Sequence, residues 1–316
     1  MKILVTGANG FVGRHLCLAL CQQQHKVVAT VRAVDCGNDG LVQTVFITAI
    51  DANSDWSDAL QSVDVVVHLA ARVHVMDDQS ADPLAEFRRV NVGGSLNLAK
   101  QAASAGVKRL IYLSSVKVNG EYTLPGRPFR ESDIANPQDA YGLSKLEAEQ
   151  GLLMIAHQTG MEVVIVRPPL VYGQGVKANF ASMMRAVKRG IPLPLGAIHN
   201  SRSFVYVGNL VSLITTCIQH AAAANQVFLV SDGDDLSTTQ LLQESATALG
   251  VKSRLWPMPQ RFIEGLAALL GKRDVAQRLC GNLQVDISKA RGLLGWMPPI
   301  SVADGLKETA VGFKWH

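Results

Sequence analysis

A chain of 316 residues, 48% hydrophobic and 18% charged, can bury a large core as one big domain or two moderate ones. Its net charge of +4, without a Lys/Arg run, makes no case for a nucleic-acid partner. Its five cysteines (Cys17, Cys21, Cys36, Cys217 and Cys280) form no C-x-x-C pair and no metal-ligand spacing, which fits a reducing cytoplasm.

In chain order, the first half alternates strand and helix patterns at βαβ spacing. Strands are expected at Lys2–Val5, Lys26–Val31, Gln43–Ile47, Asp64–His68, Arg109–Ser114 and Glu162–Arg167. Helices are expected at Phe11–Gln24, Asp55–Gln61, Asp82–Ala105 and Ala140–Thr159. The N-terminus enters its strand directly, unlike a secretory signal. Apolar runs such as Val63 to Val67 suit strands covered on both faces, hence a parallel sheet in an α/β fold. After Arg167, Pro168-Pro169, Gly173, Gly175, Pro192 and Pro194 break the chain into loops and short helices. We therefore place a boundary between residues 1–167, a dinucleotide-binding part, and 168–316, with a return of the later chain to the first part left open. The second part should carry helices at Val207–His220, Thr238–Leu249, Pro259–Leu270 and Asp286–Leu294, and a strand at Gln226–Val230. Asp286 and Ser301 read as helix N-caps. The apolar stretch around Gly265 to Leu270 is too short to span a bilayer, so no membrane partner is expected. His15, His25, His68 and His74 have no paired ligand spacing, so no metal is expected. His68 reads as a satisfied core histidine.

Two stretches carry chemistry. Gly7, Gly10 and Gly13 lie between the first strand and the first helix, where bare backbone lets a pyrophosphate reach the helix N-terminus. Their spacing is Gly-x-x-Gly-x-x-Gly. Later, Tyr141 and Lys145 stand one helical turn apart on one face. An ammonium that near is expected to lower the phenol from its usual value of ~10. The pair suggests hydride transfer with Tyr141 moving the proton.

Together with these, His68-Leu69-Ala70-Ala71, Leu113-Ser114-Ser115, Arg167-Pro168-Pro169 and Arg202-Ser203-Phe204-Val205 stand in an order that resembles the extended short-chain dehydrogenase/reductases, in the group of nucleotide-sugar epimerases, dehydratases and reductases. The resemblance covers essentially the whole chain. It implies a doubly wound parallel Rossmann sheet with a smaller α/β C-terminal substrate domain, and a cytoplasmic homodimer packed through the helices at Asp82–Ala105 and Ala140–Thr159. It makes Ser115, Tyr141, Lys145 and Asn91 the catalytic set. Around the cofactor it puts Gly7, Asn9, Gly10, Phe11, Val12, Gly13, Arg14, Arg32, Ile50, Leu69, Ala70, Ala71, Arg72, Ser114 and Pro168, with Tyr141 and Lys145. Around a UDP-sugar it puts Arg72, Ser115, Lys117, Asn179, Leu193 and Arg202, with Arg202 on the diphosphate.

The second strand ends at Val31 where an NAD-preferring site usually has a carboxylate, and Arg32 follows, with Arg14 nearby. Two guanidiniums suit a 2′-phosphate, which favours NADP(H) with NAD possible; the bland alternative is a solvated loop arginine. Val116 and Lys117 stand where sugar dehydratases of this group place an acid pair, which argues against dehydration. Asn119 replaces the tyrosine common before Gly120. The resemblance extends to bacterial reductases of UDP-2-acetamido-4-keto-2,6-dideoxyhexoses, enzymes of surface-polysaccharide sugar synthesis, and this is the favoured reading. The alternatives are a UDP-glucose or UDP-N-acetylglucosamine 4-epimerase and a non-catalytic dinucleotide-binding regulator.

Overall fold

The computed structural model describes residues 1–31, 42–73, 82–271 and 273–313. Seven strands make one parallel sheet: β1 (Lys2–Thr6), β2 (Lys26–Val31), β3 (Val42–Phe46), β4 (Val65–His68), β5 (Arg109–Leu113), β6 (Glu162–Arg167) and, from far along the chain, Val227–Leu229. In space they run β3-β2-β1-β4-β5-β6, and the seventh strand closes the β6 edge. The reversal between β1 and β4 is the topological switch point of a doubly wound sheet, and crevices at the carboxyl ends of such strands are where ligands bind.

Side chains alternate across this sheet with a period of two. Ile3, Val5, Val65, Val67, Val164 and Val166 face α1 (Phe11–Gln22) and Leu210, Ile214 and Cys217 from the second half. Leu4, Val66, Val163 and Ile165 face the opposite layer, built on Leu98, Ala102, Leu152 and Ile155. Both faces are covered, which is why the strands read as nearly continuous apolar runs.

Two expected helices take another form. Asp55–Gln61 is a series of turns: the Asp55 carboxylate accepts from the Ser57 N–H (2.9 Å), and the wholly buried Trp56 gives its backbone N–H to Gln101 Oε1 (2.9 Å). Asp82–Ala105 is divided into α2 (Pro83–Phe87), a π-helical turn over Arg88–Gly94, and α3 (Ser95–Ser104). A Cβ on Gly94 would lie 2.6 Å from Ile50 Cγ2, so the widened turn presses bare backbone against that residue. The long helix α4 (Ala140–Thr159) starts at an Asp139 cap and stops at Gly160 in the left-handed region (φ 77°).

Beyond β6 come β7 (Leu170–Tyr172), α5 (Ala178–Lys188), β8 (Phe204–Tyr206) and α6 (Val207–Gln219). The chain then returns to the large sheet as β9 (Val227–Leu229) and ends in α7 (Thr238–Ala248), α8 (Gln260–Leu269), α9 (Arg273–Cys280), α10 (Ser288–Leu294) and α11 (Val302–Val311). β7 and β8 form a separate parallel pair over a core of Tyr172, Phe180, Met184, Tyr206 and Leu306. Ser301 caps α11, whereas Asp286 lies one residue before the Ile287 cap of α10 and accepts from the Ser288 N–H (2.8 Å). Among the described residues, no helix is long and apolar enough to cross a membrane.

Candidate active site

The glycine loop is held open by contacts that forbid side chains. Gly7 has φ +68°, and a Cβ there would meet the Ala70 nitrogen at 2.9 Å. On Gly13 a Cβ would come within 2.2 Å of the Gly7 oxygen, so α1 packs directly on the loop. The Gly10 N–H donates to Gly7 O (2.9 Å), and no side chain caps α1. First-turn N–H groups thus stay open to an anion, and the bare cradle of Gly7 to Gly13 fits a dinucleotide pyrophosphate. Arg14 Nε donates to the Asn9 carbonyl (3.0 Å) and braces the loop from the helix, with Phe11 and Val12 between them. Val31 is buried at the end of β2, and Arg32 and His74 lie outside the described residues.

Beneath this loop the end of β4 is anchored by polar groups. Thr6 Oγ1 lies 2.6 Å from His68 Nδ1, and Ser95 Oγ lies 2.9 Å from His68 Nε2. Both ring nitrogens are partnered, and burial holds His68 neutral, with its pKa lowered to about 3. The Leu69 N–H donates to Thr6 O (3.3 Å) and the Ala70 N–H to Thr6 Oγ1 (3.2 Å). Ala71 follows, half-buried, and Arg72 is fixed by Asn91: its N–H donates to Asn91 Oδ1 (2.8 Å), and Asn91 Nδ2 donates to Arg72 O (3.1 Å). Asn91 Nδ2 also donates to Ser144 Oγ (3.0 Å), and Ser144 in turn to the Tyr141 carbonyl (2.8 Å). The π-helical turn puts Asn91 in this inward position, tying the β4 loop to α4. Ile50 lies on the other side of that turn, half-buried against Gly94.

Ser114 and Ser115 follow β5, and α4 brings Tyr141 and Lys145 to them. Lys145, 2% exposed, donates to Leu113 O (2.9 Å) and sits 4.5 Å from the Tyr112 ring centroid. Burial lowers its pKa to about 7, against the pull of Glu149. The expected depression of Tyr141 is reversed here: its pKa is raised to about 12. Desolvation is the main cause and the Asp139 carboxylate adds to it, while a hydrogen bond with Ser115 works the other way. The Lys145 ammonium, turned to Leu113 O and itself desolvated, does not overcome these effects. Ser115 Oγ accepts from the Lys117 N–H (3.2 Å), and Pro168 O accepts from the Val116 N–H (2.9 Å), joining the ends of β5 and β6. Lys117 Nζ is paired with Glu121 (3.1 Å) and Asp139, at the cap of α4.

A buried network unforeseen in the sequence supports this floor. Glu149 accepts from Ser114 Oγ and pairs with Arg167 (2.6 Å), which also donates to Asn119 Oδ1 (3.0 Å). Asn119 thus has a structural task, donating onward to Arg130 O (3.0 Å). The available signal was the spacing of Glu149, four residues after Lys145 and on the same helical face.

The residues expected on the sugar side are held by separate elements. Asn179 is exposed in the first turn of α5, next to Phe180, which stacks on Tyr172 (5.4 Å). Leu193 bridges to Leu255 and its N–H donates to Arg254 O (3.0 Å). Arg202 is half-buried; its Nη1 donates to Gly281 O (3.0 Å), and burial lowers its pKa. Among the described residues no carboxylate pairs with it, which leaves a desolvated cation with capacity for an anion.

Residues 3–231 match the NAD dependent epimerase/dehydratase family. The chain belongs to that family. A relative within the comparison, the UDP-glucose 4-epimerase of Vibrio cholerae, is 51% identical over 314 residues, covering 99% of this chain and 95% of that protein. The N-acetyl-alpha-D-glucosaminyl-diphospho-ditrans,octacis-undecaprenol 4-epimerase of Escherichia coli O157:H7 is 29% identical, with 98% and 94% covered. A solved UDP-glucuronic acid 4-epimerase from Bacillus cereus, in complex with UDP-glucuronic acid and NAD, shares the fold with a TM-score of 0.78 at 23% identity over 99% of this chain and 98% of that one. The family is NAD dependent, so the expected preference for NADP(H) gains no support from it.

Proposed function

We propose that this chain is a UDP-hexose 4-epimerase that retains NAD through its cycle. The observation that carries this reading over a 4-keto-sugar reductase is the 51% identity, across nearly the whole length, to a UDP-glucose 4-epimerase. The alternative held at the level of sequence thereby displaces the favoured reductase. The site supports the same chemistry. NAD held on the cradle of Gly7 to Gly13 would supply the hydride acceptor and donor for carbon 4.

Every other task falls to this chain. Tyr141 takes the O4 proton as the hydride leaves carbon 4 and gives it back to O4 on reduction, so it starts the cycle as the phenolate, a form that desolvation in this site disfavours. Ser115 hydrogen-bonds the same oxygen and stabilises charge that develops there. Lys145 provides positive charge on the enclosed side of Tyr141, 5.9 Å from its ring centroid. Asn91 keeps the α4 backbone in place through Ser144. Arg202 takes the substrate diphosphate. Val116 and the ion-paired Lys117 provide no acid pair for removing water, so oxidation at carbon 4 leads to reduction rather than dehydration.

The test is incubation of the purified protein with UDP-glucose or UDP-N-acetylglucosamine without added cofactor, followed by identification of the dinucleotide released on denaturation. Carbon-4 epimers and released NAD are expected. Turnover confined to UDP-4-keto-6-deoxy-GlcNAc with consumption of NADPH would reverse the reading to a reductase.

A further inference from the structure

We propose that the α8–α9 hairpin is a docking surface for an anionic membrane. α8 buries none of its side chains, although six of its ten residues are Phe, Ile, Leu or Ala. Phe262, Leu266 and Leu269, at i, i+4 and i+7, form one apolar stripe that is 61%, 48% and 84% exposed. Leu270 follows the stripe at 62% exposed, and Trp256, ahead of the hairpin, is 66% exposed. The stripe and Leu270 are large apolar groups grouped on one short hairpin, unlike the single exposed apolar residues of an ordinary surface.

The charge around them selects the occupant. Residues 257–281 contain Arg261, Lys272, Arg273 and Arg278 against Glu264 and Asp274, four positive to two negative, a net of +2. Arg261, Arg273 and Arg278 are exposed. An aromatic and leucine stripe edged by arginines is the arrangement of helices that lie in the headgroup region of anionic bilayers. A second copy of the same face would set these positive charges against each other. The sequence expectation of no membrane partner rested on the length needed to span a bilayer, and a helix lying on its surface needs no such length. The hairpin is rooted at its far end: Thr238 Oγ1 donates to Leu279 O (2.5 Å) and Asn200 Nδ2 to Gly281 O (2.9 Å), so it is presented on a fixed base.

The test is flotation of the full chain with vesicles of phosphatidylethanolamine and phosphatidylglycerol, with phosphatidylcholine vesicles as the neutral control. The wild type is expected to float with the anionic vesicles at low salt and to dissociate as salt rises. Leu266→Asp with Leu269→Asp, and separately Arg261→Glu with Arg273→Glu, should each weaken partitioning by about tenfold or more at unchanged Tm. The arginine variant touches no apolar packing, so it remains informative if the leucine variant fails to fold. A wild type that stays soluble at low salt overturns the proposal, as does flotation of the arginine variant equal to wild type. A stable dimer dissociated by the leucine changes, without vesicle binding, would assign the face to a second copy instead. Flotation is read without turnover, so its result is separate from that of the epimerase assay.

Discussion

The floor under β4, β5 and α4 and the region beyond β6, where the sugar side is expected, are built on opposite terms. In the floor, His68, Asn91 and Glu149 are buried and each meets at least two partners, so no side chain is free to choose another arrangement. On the sugar side, Arg202 Nη1 is held by a single carbonyl and Asn179 lies exposed on α5. The first region fixes its atoms, as the proton transfers of the proposed reaction would require, and the second leaves charge that a ligand could complete. A fixed floor suits chemistry, and a less determined rim suits recognition.

The sharpest way to test that division is to remove a reacting group without disturbing the floor. Tyr141→Phe keeps the ring that packs edge-on to Phe87 at 6.0 Å and deletes only the hydroxyl. We expect kcat to fall by about 10²–10⁴-fold with Tm unchanged. Turnover close to wild type would show that another acid moves the proton. Glu149→Ala instead breaks the floor itself, leaving Arg167 buried without its counter-charge and Ser114 without its acceptor. Loss of one member of such a buried pair costs about 3–5 kcal/mol, read as a lower urea midpoint at constant m. A loss below about 1 kcal/mol would mean that the pair is as replaceable as a surface one.

The floor should also be sensitive to acid through His68. Burial lowers its folded pKa to about 3 from the ordinary 6.5. Between these values the unfolded chain binds a proton that the folded chain refuses, so stability is lost as pH falls from 6.5 and levels off near 3. At pH 5 the difference amounts to about 2 kcal/mol. Comparing urea unfolding of wild type and His68→Gln at pH 7 and pH 5 isolates it from the carboxylates. Equal pH dependence in the two proteins would mean that His68 takes a proton in the folded state.

Strands and the glycine loop were legible because each rests on local pattern: apolar runs such as Val65 to Val67, and glycines between a strand and an amphipathic helix. What was not legible depended on distant partners. The π-helical turn that points Asn91 inward is shaped by Gly94 against Ile50, 44 residues earlier in the chain. The strand expected at Gln226–Val230 pairs with β6, Val166 beside Phe228; the strand and a possible return of the chain were legible, but this partner was not. The direction of the Tyr141 shift turned on burial, while sequence displays only the nearby lysine. Proximity in sequence named two residues that the fold does bring together, with Lys145 Nζ 5.9 Å from the Tyr141 ring centroid, but it pointed to the wrong dominant energy.

The rim offers the mildest and most discriminating test. Arg202 donates to Gly281 O and carries its backbone between Leu236 and Leu283, so its loss removes a cation without opening the catalytic floor. If it takes the diphosphate equally well in ground and transition states, Arg202→Ala raises KM by about tenfold and leaves kcat nearly unchanged. Arg202→Lys should recover only part of that affinity, because a point charge cannot reproduce the planar fork of donors. The comparison fails if kcat collapses at constant KM, since Arg202 would then act on the reacting centre and the rim would share the task of the floor.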